Sequence, residues 1–198
     1  PRMQRDFTRL NFGWWGFWLP KLDGEPALKK GLFRGGRRTV GTQADIWEYG
    51  TSKAAAFDCP STMQFDLNTL AQHKRTADIL ETVRRWEDVR LKKWLTPAQK
   101  EMLKDPAKEF HLFLNEKGEY ELLEWKQLDV AGDKWSRVRA FVFERNGQRV
   151  VAYWDIADKS ELVLATGAGT LKAENRAYWT TQKSESDVRA ALAGATIR

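Results

Sequence analysis

Asp45 and Glu48 stand three residues apart with Trp47 between them, a spacing that puts both carboxylates on one face of a helix. A carboxylate pair beside an aromatic ring is the composition of a glycosidase cleft, where one acid donates a proton and the other stabilises or attacks an oxocarbenium-like centre. Acids at the start of a helix also have a purely structural use, because the helix dipole favours them by about 0.3–1 kcal/mol. If these two act, hydrogen bonding to sugar hydroxyls is the role that fits, and no catalytic residue is assigned.

Upstream, the run "GWWGFW" places Trp14, Trp15 and Trp18 within five positions, with Gly13 and Gly16 flanking the first pair. An indole offers a flat face to a pyranose ring, and glycine permits close approach of a ligand or another chain segment. The alternative is that these rings fill the space between a strand and its helices. Consecutive strand residues point to opposite faces, which argues against all three being core. Further along, Gln64, Asp66 and Asn68 fall at the end of a second predicted strand, where amide and carboxylate groups suit sugar hydroxyls. Asp66 and Asn68 equally suit a turn and the cap of a following helix.

The elements that position these residues follow from periodicity. Thr8 to Trp15 is a nearly continuous apolar run, expected as a strand buried on both faces of a parallel sheet. Leu19 to Gly41 is rich in Gly, Lys and Arg without periodicity, and reads as a long loop. Thr42 followed by Asp45 approximates a capping box for a helix running to Phe57, and "STMQF" beyond Pro60 is a second short strand. Strand, loop, helix and strand make a βαβ unit. Arg75 to Leu95 predicts a long amphipathic helix with Ile79, Leu80, Val83, Trp86 and Val89 on its apolar side. Thr96-Pro97-Ala98-Gln99 opens a further short helix that ends before Pro106.

From Phe110 the period changes to two. "FHLFLN" and "EYELLEW" flank Glu116-Lys117-Gly118, and "RVRAFVFE" and "RVVAYWDI" flank Arg145-Asn146-Gly147-Gln148. Asn-Gly between apolar strands is a strong hairpin signal, since both central residues of a type I′ turn need positive φ. "ELVLAT" adds a fifth strand, and residues 184–198 read as a capped short helix or a final strand. The expected organisation is residues 1–107 as an α/β region and 108–198 as an antiparallel β-sandwich. One βαβα stretch cannot cover both faces of a parallel sheet, so further strands are expected from the same precursor or from a partner chain.

Other chemistries lack their residues. The single cysteine, Cys59, forms no internal disulfide, and the two histidines, His73 and His111, stand far from it with no G-x-S-x-G elbow in the chain. Asp58 and Cys59 precede the second strand and read as structural. No metal ligand set and no cofactor are indicated. "FRGGRR" lacks the strand-to-helix context and the Gly-Lys-Ser/Thr ending of a phosphate-binding loop. No apolar run reaches the roughly 18 residues of a membrane helix, so no membrane partner is expected. The net charge of +6 is local: residues 1–40 hold nine Lys or Arg against three acids, and the rest is balanced. The loop cations Lys29, Lys30, Arg34, Arg37 and Arg38 suit a lid over an acidic or sulfated sugar, a phosphate-contacting arm, a subunit contact or a solvated loop. A nucleic-acid partner is not expected, because the charge does not run along a helix or sheet face interleaved with aromatics. The remaining tryptophans, Trp86, Trp94, Trp125, Trp135, Trp154 and Trp179, read mostly as core.

"TQADIWEYGTSKAAAFDCPSTMQ", followed by "NTLAQHKRTADILETVRRWEDVR" and then a β module, resembles the last two βα units and the C-terminal β-sandwich of (β/α)8-barrel glycoside hydrolases. The resemblance implies the closing part of a TIM-type barrel, an oligosaccharide or glycoside substrate, and an extracellular or periplasmic location. It implies that strand ends and the loops after them build the sugar site, which gathers Trp14, Trp15, Trp18, Asp45, Trp47, Glu48, Gln64 and Asp66. The acid and nucleophile of such barrels often lie on earlier strands, so hydrolysis would depend on strands upstream of these. A non-catalytic carbohydrate-binding or assembly protein using the same aromatics is the alternative.

Overall fold

A computed structural model describes residues 14–20, 40–128, 138–156, 162–166 and 169–173. The chain divides into two compact units, one within Pro1–Pro20 and Gly41–Leu112, the other within Lys21–Val40 and Phe113–Arg198.

In the first unit, β1 (Trp14–Gly16) and β2 (Thr62–Gln64) pair in parallel, Gly16 opposite Gln64. Residues 8–13 of the expected first strand lie outside the described residues. The crossover between the strands contains α1 (Ala44–Ala56), followed after β2 by α2 (Leu67–Gln72), α3 (Thr76–Leu91) and α4 (Pro97–Lys104). Helix α1 is buried on nearly every side, its Gly50, Ser52, Ala54, Ala55 and Ala56 offering little bulk to its neighbours. It does not begin as expected. Gln43 is the N-cap and makes no side-chain cap bond, and the Thr42 hydroxyl is engaged elsewhere. It ends with Asp58 at φ +57, the Asp58 N–H reaching Ala55 O and the Cys59 N–H reaching Ala54 O. That 5→2 and 6→1 pair is a Schellman motif, and Lys93 closes α3 the same way.

Helix α3 starts one residue and stops four residues inside its expected bounds. It buries Ile79, Trp86 and Val89, whereas Leu80, expected on the same side, is 43% exposed. Helix α4 opens on a capping box, the side chains of Thr96 and Gln99 each bonding the other's backbone N–H.

The strands β3 (Glu109–Leu114), β4 (Tyr120–Gln127), β5 (Val138–Arg145) and β6 (Gln148–Asp155) form an antiparallel sheet in that order. The boundary between the units falls inside β3, after Leu112, rather than at residue 107. Asn146 (φ +53) and Gly147 (φ +71) make the tight turn between β5 and β6. Trp125, Phe141 and Trp154 occupy diagonal positions on three neighbouring strands, and their rings stack at 4.3 and 5.6 Å between centroids. Such diagonal aromatic pairs contribute about 0.5–1.5 kcal/mol beyond their buried area. Arg145 adds a two-pronged ion pair to Glu121 at 2.7 and 2.9 Å, which holds the Glu121 carboxyl below its usual range. A separate antiparallel ribbon joins β7 (Leu162–Thr166) to β8 (Gly169–Ala173). The expected C-terminal helix lies outside the described residues. Among the described residues no helix is long and apolar enough to cross a membrane.

Candidate functional site

The C-terminal ends of β1 and β2 carry Trp18, Gln64, Phe65 and Asp66 on the surface. The pairing continues one step past β1 through the Phe17 N–H, which donates to Gln64 O at 3.0 Å. Trp18 and Asp66 then each lie two residues beyond the last paired positions, Gly16 and Gln64.

Trp18 combines exposure with restraint. Its side chain is 58% exposed, yet its backbone is held on both polar atoms by Thr42. The Trp18 N–H donates to Thr42 Oγ1 at 2.7 Å, and Trp18 O accepts from the Thr42 N–H at 2.9 Å. The same hydroxyl donates to Gly16 O at 3.2 Å, which uses up its donor and ties β1 to the start of α1. The indole lies directly against Gly16: a methyl group there would sit 2.4 Å from Nε1. Gly41 makes the clamp possible. It has φ +65, and a Cβ would meet Pro20 N at 2.5 Å and Trp18 O at 2.7 Å, both backbone atoms.

Asp66 caps α2, accepting the Thr69 N–H at 2.8 Å and also the Thr69 hydroxyl. The hydroxyl bond first, then the backbone bonds, hold its carboxyl below the usual range, so it is an exposed, ionised acceptor. Both readings of Asp66 are compatible with this position, since it caps α2 and is also exposed.

His73 lies behind this edge. Its ring is buried and packs edge-on against Phe17, centroids 5.0 Å apart. Nδ1 accepts the Arg75 N–H at 3.0 Å, which places the proton on Nε2. Nε2 faces the Thr42 backbone without closing a hydrogen bond of good geometry. Burial is the main cause that lowers the His73 pKa. Arg75 adds to the effect and the Thr42 backbone opposes it.

The carboxylates of α1 are inside. Asp45 is buried, and Trp47 is among the most completely buried side chains, a core residue rather than a sugar-facing one. Glu48 is 1% exposed and its oxygens meet three donors: Trp86 Nε1 at 3.1 Å, the Leu112 N–H at 2.8 Å and His111 Nδ1 at 3.0 Å. Arg85 donates to the carbonyl of the same residue, Leu112 O, at 3.4 Å. Glu48 therefore joins α1, α3 and the start of β3, and the Asp45–Glu48 pair does not present an acid and a base to solvent. Lys53 is a third buried ionisable group on α1. Nζ donates to Asp105 O and Lys108 O at 2.6 and 2.8 Å, and burial lowers its pKa.

Of the predicted site residues, the structure brings Trp18, Gln64 and Asp66 to one edge. Trp14 and Trp15 belong to β1, but their side chains lie outside the described set, as do Lys29, Lys30, Arg34, Arg37 and Arg38. Thr42, Gly41 and His73 are the residues that sequence reasoning missed at this edge. Gly-Thr at the close of a long loop was the available signal, and it was absorbed into the capping-box reading. Among the described residues no group of three or more His, Cys, Asp or Glu could hold a metal ion. A surface cavity of about 400 Å³ is lined by Leu95 and α4 residues and includes none of the predicted site residues. No protein-family model, curated protein or solved structure matches this chain.

Proposed function

We propose that this chain binds carbohydrate at the C-terminal edge of the β1–β2 pair, with Trp18 as the stacking surface and Gln64 and Asp66 as hydrogen-bonding groups. One observation carries the reading: an indole more than half exposed sits on a backbone clamped through Thr42 and against a glycine that admits it. A freely exposed tryptophan would lose side-chain entropy on binding, and a pre-positioned one loses less. A sugar's apolar face suits the ring, while its hydroxyls suit the amide of Gln64 and the ionised carboxylate of Asp66.

The parallel pairing of β1 and β2 across a helical crossover favours a wider second reading. In it the chain is the closing part of a (β/α)8 glycoside hydrolase, and Trp18 lines a subsite while the acid and nucleophile come from other strands. The interior position of Glu48 supports that division of labour, because it withdraws the α1 carboxylates from the chemistry.

Titration with a panel of neutral oligosaccharides, followed by calorimetry, tests the first reading. The Trp18→Ala variant is expected to lose about 2 kcal/mol of binding, roughly thirtyfold in Kd, with a melting temperature close to that of the parent. Equal affinity in variant and parent, or no saccharide binding by the parent, would refute it. Hydrolysis of chromogenic glycosides only by an assembly that includes further strands would add the second reading.

A further inference from the structure

We infer that Thr42 is the positioning residue of this edge, fixing the Trp18 indole in the orientation in which it meets a sugar ring; the inference rests on the carbohydrate reading. Thr42 sits at the start of α1 where a helix cap would be expected, yet its hydroxyl caps nothing and its hydrogen bonds go to Gly16 of β1 and to Trp18 just beyond it. It accepts from the Trp18 N–H at 2.7 Å, donates to Gly16 O at 3.2 Å, and its N–H donates to Trp18 O at 2.9 Å. The Thr42 hydroxyl therefore touches the residue that carries the indole and the residue on which the indole rests. Removing it releases the Trp18 N–H and the Gly16 carbonyl together, at the two points that set the direction of the ring. Thr42 itself is buried and has no surface to offer a ligand. Its effect on binding must pass through Trp18.

The test compares Thr42→Val, which keeps the shape and removes the hydroxyl, with Thr42→Ser, which keeps the hydroxyl. Protein labelled with 5-fluorotryptophan gives a fluorine resonance for Trp18, assigned through Trp18→Phe. Thr42→Val is expected to shift and broaden that resonance and to weaken oligosaccharide binding about tenfold, with Thr42→Ser restoring both. Gly16→Ala provides the same signature without touching Thr42, because its methyl group displaces the outer end of an exposed indole rather than backbone. If Thr42→Val does not fold, Thr42→Ala, which also removes the hydroxyl, takes its place, and an unchanged Trp18 resonance and affinity in that variant would equally overturn the inference. A Trp18 resonance and an affinity unchanged in Thr42→Val, or a Thr42→Ser variant as impaired as Thr42→Val, would overturn the inference. A parent that binds no sugar while Thr42→Val still disturbs the Trp18 resonance would overturn the carbohydrate reading and leave the positioning role standing.

Discussion

The exposed edge of β1 and β2 and the inward face of α1 lie in one compact unit and draw on the same residue types, acids beside tryptophan, to opposite ends. At the edge, Asp66 and Trp18 face solvent, and each is steadied from behind by a threonine: Thr69 for the carboxylate, Thr42 for the indole. Inside, Glu48 and Trp86 face each other, and the carboxylate is filled by donors from three directions. A carboxylate with all its donors supplied by the fold has none left for a ligand. An exposed one that caps a helix can still be reached by a ligand. Access from solvent, more than residue type, separates a strut from a binding group.

The sharpest way to break this comparison is at Glu48. Glu48→Ala leaves Trp86 Nε1, the Leu112 N–H and the His111 ring buried without their acceptor, and should cost about 3–5 kcal/mol of stability by chemical denaturation. Sugar affinity of the protein that remains folded should not change. A variant of parental stability that loses binding would place Glu48 in the site and dissolve the distinction between the two regions.

A smaller effect comes from His73, the buried group behind the exposed edge. Its pKa is lowered on folding, so the unfolded chain binds the proton more readily. Stability is then full above the unfolded value of about 6.5 and falls as pH drops toward the folded value, by at most about 1.4 kcal/mol per pH unit. His73→Asn keeps an acceptor for the Arg75 N–H and cannot titrate, so its stability curve between about pH 6.5 and 5 should be flatter than the parent's. Parallel curves for the two proteins would remove His73 as the origin of the dependence.

The smallest effect is at Asp66. Asparagine caps helices about as well as aspartate, so Asp66→Asn should melt close to the parent. Loss of a charge-assisted bond to a sugar hydroxyl should weaken binding a few-fold in Kd. Unchanged affinity would confine Asp66 to its cap.

Local rules made much of the fold legible. Pro97 with Thr96 and Gln99 announced α4, Asn146-Gly147 announced the turn between β5 and β6, and the run of small and apolar residues after Thr42 announced α1. What the sequence could not show was contact at long range. The partners of Glu48 lie 38, 63 and 64 residues away, so nothing near Glu48 distinguishes a buried acceptor from a free carboxylate. Thr42 was misleading for a related reason: its spacing to Asp45 satisfied a local rule, but a tertiary bond to Trp18 won the hydroxyl. Strand β8, Gly169–Ala173, has Leu171 as its one large apolar residue, so neither an apolar run nor an alternation marks it. At the edge, the residue types of Trp18, Gln64 and Asp66 were readable while the devices that hold them were not, because a clamp made of a glycine torsion and one hydroxyl has no composition of its own.

Gly41 sets a boundary on how this protein can be varied. A side chain at that position meets main-chain atoms of Leu19 and Pro20 as well as Trp18 O, none of which can swing aside. Libraries meant to retune ligand preference should diversify positions 64, 65 and 66 and leave 41 fixed, since a change there would reset the aromatic surface before any new specificity could be read from it.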